Sequence, residues 1–302
     1  MQFLISDNYL HHKNKKIKFL IFGNYLHHKN KKGLEMILQN LNWSYKYASE
    51  NIDEIKQFDI IYSPDKPINT SLFPNKKFIF GPHFSVLPDN TLHKIKNIHK
   101  NSIYIQPSEW VSQLWRDMKA ESVIPIKTFS FPVNIDKFKP NNSPRDTVFI
   151  YFKERKQEEL NILTRFLNRK NIKYKIFDYN KKYNENDYIK CLQKSKYGIW
   201  LGRHESQGFA LEEALSMDVP LLVWNVKSIN QEEGQNYPDL FGTTIPYFSE
   251  KCGDYFYDAN EFESKYKQFI NKLNTYKPRE YILENLTTEI CGENLKNIIN
   301  EL

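Results

Sequence analysis

Residues 196 to 226 read KYGIWLGRHESQGFALEEALSMDVPLLVWNV. Tyr197 to Leu201 is a short apolar run rich in aromatic and β-branched side chains, which suits a buried strand. Gly202 to Gly208 is polar and bounded by glycines, so it reads as a loop. From Phe209 the spacing changes, and Ala210, Leu211, Ala214 and Leu215 fall on one face of a helix. Asp218-Val219-Pro220 stops that helix, and Leu221 to Trp224 starts another strand. Strand, loop, helix, strand is the unit of an open α/β sheet, where ligands sit beyond the carboxyl ends of the strands. A helix N-terminus there offers unpaired N–H groups and a positive dipole end to an anion. Gly208 lets the backbone come close to that anion. Glu205 and Glu213 flank the place, and carboxylates suit hydroxyls better than phosphate. The ligand implied is a phosphate joined to sugars. Glu212 and Glu213 border the apolar face from opposite sides, so periodicity does not choose between them.

Outside this stretch, 302 residues are enough for two domains, each with its own core. A composition of 40% hydrophobic and 26% charged residues is that of a globular protein. The net charge of +7 favours anionic ligands, such as a nucleotide diphosphate, or weak peripheral contact with an anionic membrane. No dense basic helix or finger pattern points to nucleic acid. Cys191, Cys252 and Cys291 lie far apart, with neither metal-ligand spacing nor an even disulfide framework, which fits a reducing, cytoplasmic setting. No apolar run approaches the ~18 residues that span a bilayer, and His11 to Lys16 interrupts any signal-peptide pattern.

Phe3-Leu4-Ile5 and Asn8 to Lys16 recur sixteen residues later as Phe19-Leu20-Ile21 and Asn24 to Lys32. Only the second copy continues into a helical pattern, Gly33 to Leu38. Lys16 to Phe22 is therefore assigned as the first core strand, Gly23-Asn24 as its turn, and residues 1–15 as a duplicated segment. The paired histidines of the repeat, at 11–12 and 27–28, read as a duplicated polar loop. Strands follow at Trp43–Ala48, Phe58–Ser63, Lys77–Phe80 and Ser102–Gln106, the last leading into an aromatic helix through Trp110, Leu114 and Trp115. Their alternation with helices argues for a parallel sheet. Pro132 and Pro140 fix an extended linker, so 16–140 and 141–286 are read as the two domains. The second opens with a strand at Thr147–Phe152 and the basic run Lys153-Glu154-Arg155-Lys156. It continues with a helix at Glu158–Leu167, a strand at Tyr174–Phe177 and a helix at Asp187–Lys194. Residues 254–272 read as partly helical, Lys277-Pro278 as a break, and 287–302 as a closing helix.

Glu205, seven residues, then Glu213, with Gly208-Phe209 and Glu213-Ala214 inside, resembles the E-x7-E signature of retaining GT-B glycosyltransferases, the "glycosyl transferases group 1" type. Phe131 to Pro140 resembles that family's interdomain segment, although its glycine is absent. Ser108-Glu109-Trp110 is similar to a turn of the family, and His83 stands after the strand where members often carry a His near the reacting sugar. The resemblance implies an α/β, GT-B fold of two Rossmann-like domains facing a cleft, with a C-terminal helix crossing back to the first. It implies transfer of a sugar from a nucleotide-sugar donor to a hydroxyl of a glycan, polysaccharide or lipid-linked acceptor, with retention and without a metal. It makes Glu213 the holder of the ribose, chosen over Glu212 on this ground. Glu205 then orients the sugar, and Lys153 and Arg155 meet the diphosphate. Ser206, Gln207, Gly208, Phe209, Gly23 and Tyr179 complete the expected donor contacts, and Glu205, His83 and Lys153 are the expected catalytic set. The same residues would also serve a protein that binds a nucleotide sugar or glycan without transferring it.

Overall fold

The runs of aromatic and β-branched residues become two parallel sheets in the computed structural model, which describes residues 17–88 and 98–302. The first sheet contains β1 (Lys18–Phe22), β2 (Ser44–Ala48), β3 (Ile60–Ser63), β4 (Lys77–Phe80), β5 (Ser102–Gln106) and β6 (Ile126–Thr128), in the order β2-β1-β3-β4-β5-β6. The helices α1 (His28–Asn40) and α2 (Glu109–Asp117) belong to this half. The second sheet contains β7 (Thr147–Lys153), β8 (Tyr174–Asp178), β9 (Ser195–Gly202), β10 (Leu221–Trp224) and β11 (Gly253–Phe256), in the order β8-β7-β9-β10-β11. Its helices are α3 (Gln157–Arg169), α4 (Glu185–Lys194), α5 (Phe209–Ser216) and α6 (Phe262–Asn271). β3, β5 and β10 are buried along their whole length, as expected of parallel strands covered on both faces. In each sheet the order reverses once, between β1 and β3 and between β7 and β9. At such a point the flanking loops diverge and leave a crevice beyond the carboxyl ends of the strands.

The segment between the sheets is not loose. Phe131, Val133 and Phe138 are buried in the apolar cluster that also holds Phe149, Trp200 and Leu215 of the second half. Two further helices lock it. α7 (Pro278–Asn285) packs on α5, and the guanidinium of its Arg279 donates to Phe138 O at 3.1 Å, Ser216 O at 2.6 Å and Ile135 O at 3.3 Å. α8 (Thr288–Asn300) starts at Thr287, whose hydroxyl accepts from Ile290 N. It crosses back to pack on α1, and Lys77 Nζ donates to Ile299 O at 2.6 Å.

Four expectations need correction or extension. Lys277-Pro278 breaks the helical pattern after α6 as expected, but Pro278 also starts a helix the pattern did not show, α7, because proline at the first helical position gives up only an N–H that would be unpaired anyway. Residues 254–256, read as part of a partly helical stretch, belong to the edge strand β11, where one-sided pairing tolerates Asp254. β6 is too short to show in the sequence pattern. The first strand begins at Lys18 rather than Lys16, and the duplicated segment 1–15 lies outside the described residues. No described helix is long and apolar enough to cross a membrane.

Replacing Arg279 by Ala removes a donor from three carbonyls, of which Phe138 O keeps the Ser216 hydroxyl, and should lower the unfolding free energy by about 1–3 kcal/mol. Arg279→Lys should recover little of it, because one ammonium cannot span all three. Denaturant titration reads both, and an Arg279→Ala midpoint equal to wild type would show that α7 does not tie the linker down.

Candidate functional site

The ends of β7 and β9 meet in register, Lys153 opposite Gly202. β9 then runs into the 203–208 loop, which is pinned from both sides. Glu205 N donates to Thr243 O at 2.9 Å, and Trp110 of α2 donates its indole N–H to Glu205 O at 2.9 Å. Gly208 closes the loop at φ +93°, a left-handed conformation that side-chain-bearing residues rarely adopt. It brings no side chain to cap α5, so the helix N-terminus is left to whatever occupies the cavity in front of it.

That cavity is about 890 Å³ in volume and lies between the two sheets' carboxyl ends. Lys153, Glu205, Ser206, Gln207, Gly208, Phe209, Glu213, Tyr179 and His83 all line it. Lys153 Nζ is 2.7 Å from Glu205 Oε1 and 4.4 Å from the centre of the Tyr179 ring. Burial works to raise the Glu205 carboxyl, but Lys153 and Arg203 outweigh it and hold Glu205 below the ordinary carboxylate range. Glu213 is pushed up to about 7 by burial, against the pull of Lys29. Lys29 comes from α1 across the cleft, pairs with Glu213, and lies 2.7 Å from Glu185 Oε2. Burial disfavours its charge too, but the two carboxylates raise it.

His83 and His204 are neutral at pH 7. His83 is lowered to about 4 by burial and then by His27, and His204 to about 4 by burial and then by Arg203. His83 Nε2 accepts the His27 backbone N–H at 3.4 Å, which leaves its Nδ1 as the protonated nitrogen. Among the described residues, no group of three or more His, Cys, Asp or Glu side chains is placed to hold a metal.

Three expected donor contacts are otherwise engaged. Arg155 is fully buried outside the cavity lining, and its guanidinium donates to Gly202 O and Trp224 O at 3.1 Å and pairs with Glu159. It tidies the ends of β9 and β10 instead of meeting an anion. Gly23 is not in the lining either. A Cβ there would come within 2.3 Å of Asp65 Oδ1, the carboxylate that receives Asn24 N and Tyr25 N, so this glycine makes room for a turn. Gln207 lines the cavity, but its amide is spent on Phe131, accepting from N at 3.1 Å and donating to O at 2.6 Å.

Residues that sequence reasoning left out of the site are Lys29, Glu185, Trp110 and Gln106, all in the lining. Lys29 stands in the second repeat copy, where it looks like any lysine of a polar loop. Glu212, the rejected neighbour of Glu213, is fully buried away from the cavity, and burial raises its carboxyl well above the ordinary value.

No family model matches the chain, and no curated protein sequence does. Solved structures do. Starch Synthase IV from Arabidopsis thaliana, described bound to ADP and acarbose, aligns over 92% of this chain and 78% of its own catalytic domain, with TM-score 0.50 and 11% identity. The glycosyltransferase SnogD from Streptomyces nogalater aligns over 94% of this chain and 100% of its own, with TM-score 0.50 and 10% identity. The fold is GT-B. A chain of the GtfA/B complex also aligns, with TM-score 0.52 and 12% identity over 80% of this chain, which spans 57% of that longer protein. At these identities the likeness is one of GT-B architecture, two parallel-sheet domains facing a cleft.

Lys153→Met should cost about 3 kcal/mol, because it leaves the half-buried Glu205 without its nearest cation. Adding Glu205→Gln to Lys153→Met should recover most of that loss. Equal denaturation midpoints for wild type and the single variant would mean that the pair is not coupled in solution.

Proposed function

We propose that this GT-B protein is a retaining glycosyltransferase that uses a nucleotide-sugar donor. The observation that carries the reading is that Glu213, buried, and Glu205, half-buried, enter one cavity at the uncapped N-terminus of α5, beside Lys153. In this reading the donor diphosphate takes Lys153 from Glu205 and lies against the first N–H groups of α5. Glu213 accepts the ribose hydroxyls. Glu205, freed from Lys153, accepts from a hydroxyl of the donor sugar and sets its orientation.

Transfer then breaks the bond between the anomeric carbon and the diphosphate oxygen and forms one from that carbon to the acceptor oxygen. The acceptor proton leaves on the departing diphosphate. Retention requires the acceptor to arrive on the face that the diphosphate leaves. Negative charge on the diphosphate grows along this path, so Lys153 binds the transition state more tightly than the ground state. His83, neutral and with Nδ1–H free of the His27 contact, is suited to donate a hydrogen bond to the sugar. The charge of +7 supports the further reading of a weak peripheral contact with an anionic membrane.

A thermal-shift screen against UDP-, GDP-, ADP- and dTDP-sugars identifies the donor. With that donor, Lys153→Ala should lower single-turnover rates by roughly 2–4 kcal/mol in barrier terms while changing donor affinity less. A wild-type rate would remove Lys153 from the reaction. A donor that raises the melting temperature but is never cleaved would make the protein a binder rather than a transferase.

Glu213→Ala should weaken the donor by about 1–3 kcal/mol. The wild-type affinity should rise from about pH 6 to about pH 8, as Glu213 loses its proton through about 7 and becomes the better acceptor of hydroxyls. Calorimetry across that range should give a flat profile for Glu213→Ala. A pH dependence that survives the substitution would assign the titration to another group.

A further inference from the structure

The two halves of the cavity differ in chemistry. Its second-domain wall carries Lys153, Glu205 and Glu213. Its first-domain wall carries His27, His28, Lys29 and Asn30 on the α1 side of His83, and on the far side Val86, Leu87, Val111 and Leu114 around the amide of Gln106 at the carboxyl end of β5. Gln106 is 3% exposed, and its Nε2 finds no hydrogen-bond partner among the described residues. An amide buried without an acceptor is costly and uncommon, and an oxygen from an occupant of the cavity relieves it. The neighbouring polar groups on this wall are already engaged. Ser85 Oγ donates to Leu87 O at 2.6 Å, and His83 Nε2 accepts from His27 N.

Trp110 stands between the two walls, and its bond to Glu205 O holds the Gln106 side at a fixed distance from the donor side. Val86, 52% exposed, forms the rim by which the aliphatic wall reaches solvent.

We propose that this half of the cavity is the acceptor site, and that the acceptor is a hydroxyl-bearing head on an aliphatic tail. Gln106 Nε2 donates to an oxygen of the head, and the tail runs over Val111, Leu114 and Leu87 and leaves past Val86. This rests on the transferase reading for the word acceptor, and on the wall itself for the tail. A hydroxyl-rich oligosaccharide laid along the same surface would bury hydroxyls against aliphatic carbon with nothing to pair them. An aliphatic chain gains from that same surface with each methylene it buries.

The test uses the full chain and two probes that share a head: methyl β-glucopyranoside, and octyl β-glucopyranoside below its micelle-forming concentration. Calorimetry should show the octyl probe binding at least about ten-fold tighter than the methyl probe. Gln106→Leu should lose roughly ten-fold in octyl affinity, with its melting temperature and its nucleotide-sugar affinity unchanged. Val86→Lys, at an exposed position, should cut the octyl advantage and leave the methyl probe as it was. Equal binding of the two probes overturns the proposal, and so does a Gln106→Leu variant that binds octyl glucoside like wild type. A lower melting temperature in Gln106→Leu would mark the amide as a structural group and overturn its anchoring role. If no nucleotide sugar binds while the octyl result stands, the tail site is supported and its role as an acceptor site fails.

Discussion

A carboxylate withdrawn from water needs a cation or a hydrogen-bond donor, and Glu205 and Glu213 in the cleft and Glu212 behind it face that demand. Glu205 is met by Lys153, from the end of the neighbouring strand. Glu213 is met by Lys29, from the other domain. Burial holds the carboxyl of Glu212, on the core side of α5, well above the ordinary carboxylate range, and its Oε2 accepts from Gln207, the residue that grips the Phe131 backbone. Much of the architecture serves to keep these groups where they are. Arg279 holds the linker against α5, Trp110 pins the Glu205 loop, and α8 returns to brace α1 beneath Lys29.

The two lysine pairs also explain how a site built for an anion can exist without one. Charges buried in a cleft are expensive to leave unmatched, so in the ligand-free protein the carboxylates hold the cations. In the proposed reading a diphosphate linked to ribose supplies both replacements, anionic oxygens for Lys153 and hydroxyls for the glutamates. The Lys29–Glu213 contact adds a consequence of its own. On that reading, occupation of Glu213 by ribose would loosen a contact between the domains and so couple ligand entry to the position of one domain on the other.

What could be read from the sequence follows physical lines. Buried parallel strands are contiguous and apolar, so β3, β4, β5, β9 and β10 stand out at nearly their true limits. The strand–loop–helix order around Gly208 requires a left-handed turn, and glycine marks it. The edge strand β11 was hidden because Gly-Asp-Tyr-Phe is half polar, as an edge permits. Pro278 marks a real break, but a proline that starts a helix looks like one that ends it, so α7 is not visible in the sequence. Arg155 was misassigned because sequence places it at a strand end but does not show that its side chain folds back over two strand carbonyls. Lys29 and Gln106 carry no local signature. Their significance comes only from what lies across the cleft.

The central claim is that this cleft exchanges its internal ion pairs for a nucleotide sugar. A crystal structure with the nucleoside diphosphate of whichever donor binds would test it directly. The account predicts diphosphate oxygens on Lys153 Nζ and on the first N–H groups of α5, the Lys153–Glu205 contact opened, and the ribose hydroxyls on Glu213. A nucleotide bound elsewhere, or bound here with the Lys153–Glu205 and Lys29–Glu213 pairs both intact, would contradict it.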